Sequence, residues 1–83
     1  MARKDDTAWT AHLVDVSLEG LGLVLSRRFE PGTILSLEVP GACGSLRTLL
    51  GRVVNVRAMP DRTWRVGCRL INPLTDEDLQ ALR

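Results

Sequence analysis

Apolar residues in this chain fall in runs of four to eight, set apart by glycine or proline every eight to twelve positions. That rhythm predicts an all-β domain. The first predicted strand covers residues 8–14, and alternation places Trp9, Ala11 and Leu13 on one face with Thr10, His12 and Val14 on the other. Residues 21–25 form a second strand, with Leu21, Leu23 and Leu25 on one side. Glu30-Pro31-Gly32-Thr33 fits a type II turn, in which proline presets the first central position and glycine takes the positive φ of the second. A third strand follows at 34–39, and Pro40-Gly41-Ala42-Cys43-Gly44 reads as a loop. The fourth strand is long, from Leu46 to about Arg57. Its alternation falters at Leu49-Leu50-Gly51, where a bulge or a tight bend is expected at the glycine. Met59-Pro60-Asp61-Arg62 turns the chain into a fifth strand at 63–71. Val66, Cys68 and Leu70 face inward there, and Trp64 shares their parity.

The pattern changes at the end. Thr75 is a helix N-cap, followed by Asp76, Glu77 and Asp78 in the first turn, where the helix dipole favours acids. Leu74 before the cap and Leu79 after it suit a hydrophobic staple. The expected organisation is one domain over 1–83: a flexible N-terminal tail at 1–7, a β-barrel over 8–71 and a C-terminal helix over 75–83.

Composition narrows the function. A formal net charge of +1 gives no overall pull toward nucleic acid or a membrane. Three aromatics, Trp9, Phe29 and Trp64, offer no interleaved platform for stacking bases, so a nucleic-acid partner is not expected. Charge is unevenly spread, however. Arg47, Arg52, Arg57, Arg62, Arg65 and Arg69 span a stretch whose one acid is Asp61. These arginines either solubilise an exposed sheet face or bind anions. Cys43 and Cys68 lack metal-ligand spacing and are expected as reduced thiols of a cytoplasmic protein. No apolar run is long enough for membrane insertion. One histidine, His12, and the lack of a nucleophile with a base partner or a metal cluster argue against an enzyme. No cofactor is expected.

The most informative stretch is Asp15-Val16-Ser17-Leu18-Glu19-Gly20, a carboxylate, a hydroxyl and a permissive glycine between two strands. Read from residue types alone it is either a local Asx or Ser turn or a ligand-binding turn. The pattern D-x-S-x-x-G, with Gly20-Leu21-Gly22-Leu23 running on from it, resembles a signature of PilZ domains, small β-barrels that bind cyclic di-GMP. Pro31-Gly32, Gly51-Arg52-Val53, Trp64-Arg65-Val66-Gly67-Cys68 and the helix start Leu74-Thr75-Asp76-Glu77-Asp78-Leu79 follow in that family's order. The resemblance implies a small antiparallel barrel of five to six strands with a short C-terminal helix. It implies a non-catalytic signalling module in which Asp15 and Ser17 contact a guanine of cyclic di-GMP and Gly20 shapes the turn, altering contact with a protein partner.

The family's second signature, R-x-x-x-R ahead of this motif, does not occur here. The basic pair before Asp15 is Arg3-Lys4, and Thr7 stands four residues after Arg3. Arg3 and Lys4 are therefore the cations expected to reach the ligand from the tail. Two expectations stand side by side: the arginines lie upstream in a longer natural chain, or the domain has lost nucleotide binding and works through protein contacts and oligomerisation. A missing first barrel strand would leave an open sheet edge, and a homodimer through that edge is expected.

Overall fold

Leu21, Leu23 and Leu25 are buried while Gly22 and Val24 between them are half-exposed, the alternation of a strand with one wet face. The same logic builds most of the chain. The computed structural model describes residues 2–4, 7–41 and 44–82. Its strands are β1 (Ala2–Lys4), β2 (Thr7–Trp9), β3 (His12–Val16), β4 (Gly20–Leu25), β5 (Ile34–Pro40), β6 (Leu46–Ala58) and β7 (Trp64–Leu70), and α1 (Asp76–Leu82) closes the chain. They form one antiparallel sheet in the order β2-β1-β5-β6-β7-β4-β3, curled into a half-barrel. Trp9 and His12 are three residues apart, at most about 11 Å of extended chain. Yet they end strands on opposite edges of the sheet, so the sheet has to curl until those edges approach.

Several expectations change. Residues 2–4 of the expected flexible tail are a strand, paired through Ala2 with Leu37 and through Arg3 with Ser36. Without β1, the outer edge of β5 would leave its backbone donors and acceptors unpaired within the sheet. The missing barrel strand behind the dimer expectation is thus supplied by the chain itself, and the strand count rises to seven. Residues 1, 5, 6, 42, 43 and 83 lie outside the described residues, and with them Cys43. The predicted first strand is broken at Thr10-Ala11 into β2 and β3. In β6 the register shifts between Val53 and Asn55, not at Gly51. Gly51 is crowded from inside instead: a Cβ there would lie 3.1 Å from Cys68 Cβ and 3.3 Å from Leu37 Cδ1.

Inside the curl, Leu35 and Val66 are fully buried, with Leu25, Val53 and Phe29 around them. Phe29 meets Trp9 edge to face at 5.0 Å, and Arg27 stacks on the Trp9 ring. Gly32, at φ 95°, and the Thr33 N–H bond to the Glu30 carbonyl bear out the turn read from Pro31-Gly32.

The helix is fastened at its start. Asp78 N–H donates to Thr75 Oγ1 at 3.1 Å and Thr75 N–H donates to Asp78 Oδ2 at 3.1 Å, a reciprocal capping box. Arg47 of β6 adds an ion pair to Asp78 at 2.6 Å. The Thr75 N–H bond chiefly holds the Asp78 carboxyl below the ordinary range; burial opposes this, and the Thr75 hydroxyl and Arg47 reinforce it. A lowered native value means the contribution is complete above the unfolded value of about 3.9 and is lost as pH falls through the native one. Asp78→Asn is therefore expected to lower the urea midpoint at pH 7 and to shrink the difference from wild type as pH drops toward 3. An equal deficit at both pH values would count against this role.

Candidate functional site

The site is built by two irregularities in otherwise regular strands. In β3, Leu13 pairs with Leu23, whose side chain is in the core. Strict alternation would put Asp15 on that same inner face. The register shifts between them, with Val14 as the extra residue, and Asp15 pairs with Gly22 on the outer face. In β6, Val53 pairs with Cys68 inside, the register shifts past Val54, and Asn55 pairs with Gly67 outside. The two bulges thus bring one cross-strand row to the outer surface: Asp15, Gly22, Gly67, Asn55.

The middle of that row is glycine because side chains at its ends lean over it. A Cβ on Gly67 would sit 2.6 Å from Asn55 Oδ1, and one on Gly22 would sit 3.1 Å from Asp15 Cβ. In the next row Gly20 lies beside Arg69 and Arg52, and a Cβ on it would come within 2.9 Å of the Cys68 carbonyl oxygen. The Asn55 amide thus lies over Gly67, and the concavity at this row, about 300 Å³, is lined by Asp15, Ser17, Gly20, Asn55, Arg65 and Gly67 among others. A second, mainly apolar cavity of about 120 Å³ lies against the inner face between Leu37, Leu21 and Leu82 of α1, with Glu38 as its one charged lining residue.

Ser17, Leu18 and Glu19 make the turn between β3 and β4, with the Ser17 N–H donating to the Gly20 carbonyl at 2.9 Å. The Ser17 hydroxyl approaches that same carbonyl at 3.4 Å, long for an O–H donor, so it holds the turn weakly. Asp15 is exposed and takes no hydrogen bond or ion pair from the described residues. It is not consumed in a local Asx turn. The turn itself is fixed from behind: Leu70 N–H donates to the Glu19 carbonyl and Leu74 N–H to the Leu18 carbonyl. An anionic acceptor and a hydroxyl are therefore held on a pinned turn at the rim of an open groove, with an amide and a guanidinium across from them.

Of the residues singled out in the sequence, Asp15, Ser17 and Gly20 come together here. Arg3 and Lys4 do not join them through the sheet: they lie in β1, and β5, β6, β7 and β4 separate that strand from β3. His12 is exposed in β3, in the row of Val24, Arg65 and Arg57. Cys68 passes under the floor with its thiol buried, and burial pushes that thiol up to about 11, so it stays protonated at neutral pH. Sequence reading missed Asn55, and it placed Arg65 among six arginines that either solubilise a face or bind anions without joining it to Asp15. The available signal was the doublet Val53-Val54, a break in alternation that places the next polar residue outward. Among the described residues no cluster of three metal-ligating side chains occurs, and no helix is long and apolar enough to cross a membrane.

The PilZ domain family profile matches residues 1–83, the whole chain. Neither a curated protein nor a solved structure matches it.

Proposed function

The chain belongs to the PilZ domain family, and from that premise we propose that its outer groove is a receptor site for cyclic di-GMP. PilZ domains are non-catalytic signalling modules of the cyclic di-GMP receptor type. The observation that carries the assignment to this groove is the bulge at Val14, which delivers the unpartnered Asp15 carboxylate to an outward row floored by Gly22 and Gly67. The glycines leave room for a flat purine beside the Asn55 amide. Guanine presents N1–H and N2–H donors that a carboxylate accepts as a pair. Ser17 adds a hydroxyl at the rim and Asn55 a mixed donor and acceptor opposite. Adenine lacks those two donors, so it would leave Asp15 unpaired against the base.

Occupation of the groove also changes the surface beside it. Val14 and Leu18, both partly exposed, sit on β3 and its turn beside the site. In this reading a protein partner senses the ligand there. The same exposed apolar residues favour the second reading, a PilZ-like interaction domain with no nucleotide response.

Calorimetric titration of the chain with cyclic di-GMP and with cyclic di-AMP separates these readings. Binding of the guanine ligand with cyclic di-AMP at least a hundredfold weaker is expected, because a site built to hydrogen-bond a donor pair rejects an analogue without it. Equal affinity for both would remove the guanine-reading role, and silence with both would leave the interaction domain.

A further inference from the structure

Arg52, Arg57, Arg65 and Arg69 stand on the groove face in two cross-strand pairs, Arg57 opposite Arg65 and Arg52 opposite Arg69. Like charges placed directly opposite destabilise a sheet, and such an arrangement ordinarily has interleaved acids. Here the described residues provide none: the ion pairs are Arg28 with Glu30 and Arg47 with Asp78, and none of the four guanidinium groups has a hydrogen-bond or ion-pair partner among the described residues. Their position relative to the groove is regular. Arg65 lies two residues before Gly67 on β7 and Arg69 two residues after, so each pair is about 6–7 Å along the strand from the Asn55–Gly67 row. Arg65 already lines the groove with Asp15, and it also lines the adjoining hollow with Arg57 and Asn55. Arg52 and Arg69 line a separate hollow of their own next to Ile71.

We infer that these two arginine pairs are the phosphate grip of the groove, one pair on each side of its glycine floor, holding the two phosphodiesters of the cyclic dinucleotide whose guanine Asp15 reads. This rests on the function proposed above. The guanidinium fork donates two parallel hydrogen bonds to phosphate oxygens, and two forks on one anion neutralise each other's repulsion. Cations fixed on strands lose little freedom on binding, and these four stand on the strands that carry the groove. The free domain holds the four charges at a cost in stability that the ligand removes.

The test measures cyclic di-GMP affinity at low and high salt for the wild type, R57Q/R65Q, R52Q/R69Q and Asp15→Ala, with a thermal melt of each without ligand. Each arginine double variant is expected to bind roughly ten- to hundredfold more weakly, the loss of one or two charge-assisted hydrogen bonds. Its salt dependence should be shallower, and its ligand-free melting temperature equal to or above wild type. A role in folding alone would lower the melting temperature instead and would overturn the inference. Unchanged affinity in both doubles, with loss in Asp15→Ala, would overturn the grip while leaving the guanine site standing. Failure of the wild type to bind would overturn the site itself and the grip with it. Equal competition by any single-stranded oligonucleotide, with Asp15→Ala indifferent, would show a nonspecific polyanion face and overturn both.

Discussion

Asp15→Ala is expected to lower affinity for cyclic di-GMP by a hundredfold or more while leaving the domain folded. The carboxylate is the one acid lining the groove, and in the proposed complex it would face the two donors on the guanine edge. Hydrogen bonds to a charged group contribute about 1.5–3 kcal/mol each, so losing two of them removes at least a factor of about one hundred. Stability should hardly change, because the Asp15 carboxylate is exposed and makes no bond with the described residues. Substitutions at such positions usually fall within about 0.5 kcal/mol of wild type. Asp15→Asn keeps one accepting oxygen and is expected to lie between the two. Isothermal titration beside thermal melts checks this directly. An Asp15→Ala protein that melts like wild type and binds like wild type would exclude the carboxylate from recognition, wherever the ligand sits.

That contrast between exposure and importance explains how the sequence can be read here, and where reading fails. Inner faces were legible, since burial acts on each leucine or valine separately: Leu21, Leu23, Leu25, Val66, Cys68 and Leu70 are buried as alternation requires. The Pro31-Gly32 turn and the Thr75 cap were legible because each depends on local backbone chemistry. The bulges were not. Leu13-Val14 and Val53-Val54 are apolar doublets, and a doublet shows that alternation breaks somewhere without showing which residue is squeezed out. Neighbouring strands decide that, through the pairing of Asp15 with Gly22 and Asn55 with Gly67. The motif therefore pointed to Asp15, Ser17 and Gly20, while Asn55 and the place of Arg65 beside Asp15, both supplied by distant strands, stayed hidden. Residues 2–4 were misjudged for a related reason: their strand exists because β5 presents an edge to pair with, and no feature of Ala2-Arg3-Lys4 itself demands it.

Leu37→Ala is expected to be the most damaging of the substitutions considered, and Gly51→Ala to offset part of its damage. Leu37 is buried on β5 and already borders the 120 Å³ cavity beneath α1. Truncation would merge with that space, so the cost should lie in the upper half of the usual 2–5 kcal/mol for leucine to alanine. At about 0.05–0.15 kcal/mol per residue a domain of 83 residues holds roughly 4–12 kcal/mol in all. The midpoint of melting should then fall by well over 10 °C, at about 4–8 °C per kcal/mol. Gly51→Ala alone should cost about 1–3 kcal/mol by overpacking, since its methyl group meets Cys68 Cβ and Leu37 Cδ1. In the double variant the Leu37 side of that crowding is gone and the methyl group fills part of the void. The combined loss should fall short of the sum by at least about 0.5 kcal/mol. Strict additivity of urea-derived stabilities would refute the contact. The two single variants should also part company in binding. Gly51→Ala presses on Cys68, whose carbonyl lies directly under Gly20, and a shift there tilts the turn that carries Ser17. Leu37→Ala opens space beside Gly51 and exerts no push on Cys68, so cyclic di-GMP affinity should weaken in the first and persist in the folded fraction of the second.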